Sequence, residues 1–251
     1  MLIQSKHRPG MLLTRLLPNV LTLLSLCSGL SAIRFALREQ WEAAVIAIII
    51  AAIFDLLDGR VARMLNITSK FGAELDSLSD LVSFGLAPAI TLYQWVLDEG
   101  EGLGWLAVLA FVLCAALRLA RFNTMLDNPN VPSWQKNYFT GVPVPAAAGL
   151  AIMPMVWSFA LESDLPRIPQ VIAVWLMLLG GLMVSRLPTF SLKGRRVPQS
   201  WIVPILIAFG LLAAQLVTNP WRTLGLLNLL YIITLPLSWW QFRQHAKREP
   251  E

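Results

Sequence analysis

Eight apolar runs of near-spanning length occupy most of the chain and limit its possible folds more than any other feature. They cover about residues 18–37, 41–57, 78–97, 103–120, 142–161, 168–187, 201–218 and 222–241. A membrane-spanning helix needs about 20 apolar residues, so runs of this length are typical of transmembrane helices. With 56% hydrophobic and 14% charged residues, little sequence remains for a water-soluble domain. The sequence predicts an all-α polytopic membrane protein with about eight transmembrane helices.

The basic residues predict how these helices are oriented in the membrane. If the N-terminus is cytoplasmic, sixteen of the 20 lysines and arginines fall on the cytoplasmic side of the eight runs. Cytoplasmic loops of membrane proteins carry an excess of Lys and Arg, so we expect both termini in the cytoplasm. The formal net charge of +5 favours attraction to anionic membrane lipids, and nothing in the pattern indicates nucleic acid as a partner.

Four aspartates lie in a stretch where apolar sequence stops and then resumes. Asp55 and Asp58 are three residues apart, and Asp76 and Asp80 are four apart. At about 100° per residue each pair lies on one helix face, so two facing helices would form a carboxylate cage. Such a cage favours a hard divalent cation, Mg²⁺ or Mn²⁺, shared with substrate phosphates. The alternative is that the aspartates are interfacial charges paired with nearby arginines.

Local features around the aspartates allow predictions about the neighbouring helices. Asn19 and Thr22 are able to cap the first helix or to face a neighbouring helix. Ser69 is a candidate N-cap for the helix that carries the second aspartate pair. Gly85 and Pro88 predict a kink in the third apolar run.

The aspartates belong to a longer pattern with fixed spacing. Its eight positions are Asp55, Asp58, Gly59, Ala62, Arg63, Gly72, Asp76 and Asp80. This pattern resembles the full signature of the CDP-alcohol phosphotransferase family. The flanking segments ELDSLSD, SFGLAPA, RLARFN, GVPVPAAAG and LPTFS resemble more particularly the bacterial integral-membrane members whose acceptor is serine. The resemblance extends from about Pro18 to Ser191.

The resemblance implies a reaction and its cofactors. The phosphatidyl group of CDP-diacylglycerol would be transferred to the hydroxyl of L-serine, with release of CMP. Two divalent cations, Mg²⁺ or Mn²⁺, would be held by Asp55, Asp58, Asp76 and Asp80, and Asp80 would also act as the base. The positions expected to border CDP-diacylglycerol are Gly59, Ala62, Arg63 and Gly72. On the residues alone, Gly59 and Ala62 are equally open to a role in helix packing.

The serine site is predicted from the charge of the amino acid. Serine carries a carboxylate, so its site should offer at least one cation. Arg118 and Arg121 are three residues apart at the cytoplasmic end of the fourth run, and Ser77 and Asn123 are weaker candidates. The alternative for the two arginines is that they anchor the helix at the membrane surface.

The apolar runs, the basic residues and the resemblance together predict an overall organisation. A basic cytoplasmic arm (1–17) would precede a six-helix transmembrane core (18–191), and two additional helices and a basic tail (192–251) would follow. The protein would be a homodimer in the bacterial cytoplasmic (inner) membrane, with its active site at the cytoplasmic face. Two alternatives remain open. The acceptor could instead be glycerol 3-phosphate or an inositol compound, or the chain could be a membrane transporter with intramembrane acids on its path.

Overall fold

The computed structural model describes residues 10–65, 69–100, 102–126, 138–164, 166–185, 187–190 and 201–248. These residues are helical except for short connections and two strands of 3 residues each. The chain forms two compact units, Met1–Trp95 and Val96–Glu251. The predicted helical class is therefore confirmed.

Four helical stretches in the described part of the chain are long and apolar enough to cross a membrane. They are Leu16–Ala36, Lys70–Trp95, Gly102–Thr124 and Val144–Leu161. Two further apolar helices, Pro169–Val184 and Ile202–Thr218, are shorter. Four candidate spans are fewer than the eight predicted from apolar runs, so the count of eight and the orientation of the termini stay predictions.

The first unit begins with a hairpin of two long helices, α1 (Gly10–Ala36) and α2 (Trp41–Met64). The turn between them contains Glu39, which adopts the left-handed conformation with φ 58°. Small side chains allow the two helix backbones to approach closely. The buried alanines of these two helices are Ala32, Ala36, Ala44, Ala47 and Ala51. Helix α2 continues to Met64 and so carries the first aspartate pair close to its C-terminal end.

The second aspartate pair lies on α3 (Lys70–Asp80), whose first turn is capped as predicted. The Ser69 hydroxyl accepts a hydrogen bond from the backbone N–H of Gly72 at 2.9 Å. A Cβ atom at Gly72 would lie 3.1 Å from the Ser69 hydroxyl and 3.2 Å from the side-chain oxygen of Asn19. The cap thus leaves little room for a side chain at Gly72.

The helix changes its hydrogen-bonding pattern directly after Asp80. A π-helical segment, Leu81–Leu86, leads into α4 (Ala87–Trp95). Pro88 has no N–H to donate to the carbonyl of Phe84, so the regular α-helical pattern cannot be maintained through this turn. The structure thus has a π-helical segment at the position where Gly85 and Pro88 predict a kink, and segments of this type recur at functional sites.

Helix α1 and the π-helical segment meet at Gly29. A Cβ atom there would lie 2.6 Å from the Cα atom of Ser83, so only glycine fits at this contact. Nearby, the Ser83 hydroxyl donates to the carbonyl of Ser25 at 3.1 Å, and the Ser25 hydroxyl donates to the carbonyl of Ala51 at 3.0 Å. Buried hydroxyl groups thus join α1 to α2 and to the π-helical segment that follows Asp80.

The second unit contains six further α-helices, one short 3₁₀ helix and one two-stranded ribbon within the described residues. The helical elements are the 3₁₀ helix Leu97–Gly100, α5 (Gly102–Leu126), α6 (Val144–Ala151), α7 (Met153–Leu161), α8 (Pro169–Val184), α9 (Ile202–Thr218) and α10 (Pro220–Arg248). Strands β1 (Tyr138–Thr140) and β2 (Pro188–Phe190) pair antiparallel. Helix α5 packs along α8, and α10 packs against α7, where Trp157 lies over Gly225.

Candidate metal and substrate site

Three of the four aspartates converge between α2 and α3. Asp55, Asp76 and Asp80 each offer a carboxylate oxygen, and these three oxygens lie within 4.8 Å of one another. All three residues are partly buried. Carboxylates this close repel one another, and partial burial weakens the screening by water. Among the residues that the structure describes, no ion pair joins these aspartates to Arg60 or Arg63.

Asp80 provides a direct test of whether a divalent cation fits this group. Its Oδ1 atom is buried and has no hydrogen-bond partner among the described residues. A buried carboxylate oxygen without a partner is costly, and a cation removes that cost. An all-oxygen donor set is also what Mg²⁺ and Mn²⁺ prefer. The residues present therefore fit such an ion.

Asp58 lies outside this group of three and is held differently. It is 6% exposed, and one of its oxygens, Oδ2, accepts a hydrogen bond from the Thr22 hydroxyl of α1 at 2.6 Å. The backbone carbonyl of Thr22 in turn accepts a hydrogen bond from the Ser79 hydroxyl at 3.1 Å. Thr22 thus contacts the helix of the first aspartate pair and the helix of the second. The sequence indicates that Thr22 is able to face a neighbouring helix, but it does not indicate that Asp58 is its partner.

Three of the residues predicted to border CDP-diacylglycerol lie next to Asp55 on α2. Gly59 and Ala62 follow Asp55 at i+4 and i+7 and so share its helix face. At Gly59 a Cβ atom would meet only the guanidinium of Arg63, at 3.9 Å. Arg63 itself is exposed. This face of α2 is therefore sterically open beside the carboxylates, whereas Gly72 lies in the tightly packed N-cap of α3.

The predicted serine-binding residues are divided between the two units. Ser77 is on α3, and its hydroxyl donates to the carbonyl of Ala73 at 3.1 Å. Arg118, Arg121 and Asn123 are on α5 in the second unit. Arg121 donates to the carbonyl of Val184 at the end of α8, at 3.3 Å. Their grouping into one serine site stays a prediction.

The packing contacts between α1 and the helices beside the aspartates were not predicted from the sequence. Thr22, Ser25 and Gly29 lie at i, i+3 and i+7 on one face of α1. Ser79 and Ser83 are four residues apart and meet this face. A stripe of small and hydroxyl side chains is typical of close helix packing in membranes. The spacing of these residues in the sequence could therefore have indicated this packing face.

Comparison with known proteins decides which family this arrangement belongs to. The family model described as CDP-alcohol phosphatidyltransferase matches residues 15–184 and includes all eight signature positions. The chain belongs to the CDP-alcohol phosphatidyltransferase family. A second model, described as CDP-alcohol phosphatidyltransferase 2, matches residues 200–236, beyond the end of the resemblance at Ser191. Family similarity therefore extends into the last two helices.

Several members of the CDP-alcohol phosphatidyltransferase family are similar over most of this chain. The CDP-diacylglycerol–serine O-phosphatidyltransferase of Mycobacterium leprae is 37% identical over 224 residues, covering 89% of this chain and 74% of the relative. The protein of the same name from Helicobacter pylori is 33% identical over 226 residues, covering 89% and 91%. That from Methanocaldococcus jannaschii is 38% identical over 169 residues, covering 66% and 70%.

Proposed function

We propose that this protein transfers the phosphatidyl group of CDP-diacylglycerol to the hydroxyl of L-serine, giving phosphatidylserine and CMP in bacterial phospholipid synthesis. The observation that carries the proposal is the group of three carboxylates, Asp55, Asp76 and Asp80, within 4.8 Å of one another inside the family signature. The choice of serine is supported by the names of relatives that are 33% and 37% identical over 89% of the chain.

The aspartates are proposed to hold two divalent cations, Mg²⁺ or Mn²⁺. The proposed ligands are Asp55, Asp58, Asp76 and Asp80. When bound, these ions neutralise the pyrophosphate of CDP-diacylglycerol and stabilise the CMP that leaves. The aspartates supply the negative charge that retains the ions. Among the described residues, these aspartates form no ion pair with Arg60 or Arg63, so their charge is available to the cations.

Asp80 is proposed to act also as the base. A carboxylate oxygen of Asp80 accepts the proton of the serine hydroxyl as the serine oxygen attacks the phosphorus of the phosphatidyl group. The bond from that phosphorus to the bridging oxygen of the pyrophosphate breaks, and CMP leaves with the electron pair. The buried Oδ1 atom of Asp80, which has no partner among the described residues, supports this assignment.

The CDP-diacylglycerol donor is proposed to lie along the open face of α2. Gly59 and Ala62 offer a surface without large side chains next to Asp55, which suits a flat cytidine ring. Arg63 is exposed on the same helix and would bind a phosphate. Gly72 would border the donor through its backbone, because its contact with Ser69 and Asn19 leaves little room for a side chain.

The serine acceptor is proposed to bind through Arg118 and Arg121, with Ser77 and Asn123 as weaker contacts. Arg121 donates to the Val184 carbonyl, but a guanidinium has five N–H donors, so donors remain for a carboxylate. A glycerol 3-phosphate or inositol acceptor is the alternative, and a phosphorylated acceptor would require more clustered cations than these two.

The membrane arrangement is also proposed. The protein would have eight transmembrane helices, with both termini and the active site at the cytoplasmic face of the inner membrane, and would form a homodimer among anionic lipids. The core would be residues 18–191, between a basic arm (1–17) and two further helices with a tail (192–251). Residues 1–9 and 191–200 lie outside the described residues. Labelling of single cysteines from either side tests the orientation, and the mass of the detergent-solubilised protein tests the homodimer.

The experiment that tests the reaction is CMP release by the purified protein in detergent. CDP-diacylglycerol and Mn²⁺ or Mg²⁺ are supplied with L-serine, glycerol 3-phosphate or inositol. Release with serine alone, abolished by a chelator, is the expected result. Release with a different acceptor would overturn the serine assignment, and no release with any acceptor would favour the transport alternative.

A further inference from the structure

We propose that Thr22 is a positioning residue for Asp58. Its hydroxyl fixes the Asp58 carboxylate in the orientation in which that carboxylate serves as a ligand for a divalent cation. The inference rests on the proposed function, because it takes the aspartates as a metal site. It adds a residue of α1 that lies outside the eight-position family signature.

The contact between Thr22 and Asp58 is short and shielded from water. The hydroxyl of Thr22 lies 2.6 Å from Oδ2 of Asp58, and the two residues are 4% and 6% exposed. A hydroxyl that donates to a carboxylate at 2.5–2.7 Å forms a charge-assisted bond, which is stronger than a bond between neutral groups. This bond occupies one oxygen of Asp58 and restricts rotation of the carboxylate.

The Thr22 hydroxyl has a second acceptor within reach, the carbonyl of Pro18 at 3.1 Å. A hydroxyl has only one hydrogen, so the two acceptors compete. The shorter contact to a charged oxygen is favoured over the longer contact to a neutral carbonyl. The bond to the Pro18 carbonyl is an ordinary feature of a threonine in a helix. The bond to Asp58 is the one that links α1 to the carboxylates.

The backbone of Thr22 is itself held from the other side of the site. Its carbonyl accepts the hydrogen bond from Ser79, which is 2% exposed and precedes Asp80 in sequence. The position of Thr22 relative to α3 is therefore fixed. Its hydroxyl in turn fixes the carboxylate of Asp58 on α2. Partners that orient metal ligands in this way typically change metal affinity 10- to 100-fold when they are removed.

The test measures Mn²⁺ binding to the purified full-length protein in detergent, by electron paramagnetic resonance of the free ion. Thr22→Val removes the hydroxyl and keeps the side-chain volume, and Thr22→Ser keeps the hydroxyl. Ser25→Ala is the matched control, because it removes a buried hydroxyl from the same face of α1 that donates to a backbone carbonyl. Thermal unfolding is recorded for every variant.

Thr22→Val is expected to raise the half-saturating Mn²⁺ concentration about tenfold or more, whereas Thr22→Ser and Ser25→Ala change it less than about threefold. In an Asp58→Ala background, Thr22→Val should cause no further loss, because the acceptor of its hydrogen bond has been removed. If Thr22→Val does not fold, Thr22→Ala removes the same donor and carries the same expectation. Wild-type affinity in a folded Thr22→Val or Thr22→Ala variant overturns the inference, as does an equal loss in Ser25→Ala.

The outcomes also separate this inference from the proposed function. If the wild type binds Mn²⁺ but releases no CMP with serine, the proposed reaction with serine is wrong. The Mn²⁺ affinities of the Thr22 variants still support or overturn the positioning role. If the wild type releases CMP and Thr22→Val binds Mn²⁺ normally, the reaction stands and the positioning role is refuted. A wild type that binds no Mn²⁺ or Mg²⁺ overturns both.

Discussion

Replacing Asp80 with asparagine should make the metal-free protein more stable and nearly inactive. Asn keeps the shape of the side chain but removes its charge and its ability to accept a proton as a base. Oxygens of Asp55, Asp76 and Asp80 lie within 4.8 Å of one another. Two unit charges at that separation repel by about 3.5 kcal/mol at an effective dielectric constant near 20. Asp80→Asn therefore relieves repulsion in the metal-free protein.

The expected gain in stability is smaller than the full repulsion. Carboxyl groups at this separation can bind a shared proton in the metal-free protein, which relieves part of the repulsion. We expect a gain of about 1–3 kcal/mol in the free energy of unfolding. For a chain of this size, that corresponds to a rise of about 2–10 °C in Tm. Turnover should fall by a factor of about 10²–10⁴, which is the usual contribution of a general base.

Two assays check this prediction, each with a matched control. Thermal unfolding in detergent with a chelator gives the stability, and CMP release at saturating Mn²⁺ gives kcat. Glu74→Gln is the control, because it removes the same charge from an exposed position of α3. Glu74→Gln should leave both quantities nearly unchanged. The reasoning is refuted if Asp80→Asn retains substantial turnover while binding Mn²⁺, or if it lowers Tm in the presence of the chelator.

Two further substitutions test packing and acceptor binding. Gly29→Ala should destabilise the protein by about 1–3 kcal/mol, because its Cβ atom would lie 2.6 Å from the Cα atom of Ser83. Thermal unfolding checks this against Gly181→Ala, where no atom lies within 4 Å and no loss is expected. Arg118→Ala and Arg121→Ala should raise the KM for serine at least tenfold while changing the KM for CDP-diacylglycerol less than about threefold. An unchanged KM for serine in both arginine variants would contradict the proposed serine site.

The sequence was sufficient to predict the segments of the site that depend on local chemistry. The spacing of each aspartate pair predicts a shared helix face, and the hydroxyl group of Ser69 predicts an N-cap. Both predictions follow from the geometry of a single helix. The structure has Ser69 as the cap of α3 and brings Asp55 together with Asp76 and Asp80. The chemical roles of these aspartates stay predictions.

Features that depend on packing between helices could not be predicted in the same way. Periodicity shows which residues share a face, but it does not show which helix covers that face. The bond between Thr22 and Asp58 joins residues 36 positions apart, and that between Ser79 and Thr22 joins residues 57 apart. Gly85 and Pro88 likewise predict a kink, but they do not predict that Leu81–Leu86 forms a π-helix.

The way the aspartates are held bears on why they remain available for a cation. An arginine or lysine paired with each carboxylate would fix its position but would also neutralise it. In the described part of the chain, Asp58 is instead held by the neutral hydroxyl of Thr22. Hydroxyl-to-carbonyl bonds from Ser79 on α3 and from Ser83 on the π-helical segment hold the second aspartate pair against α1. Such bonds orient the carboxylates without cancelling their charge. The unneutralised charge is costly in the metal-free protein and favours binding of a divalent ion, so Asp80→Asn should gain stability and Thr22→Val should lose affinity for Mn²⁺.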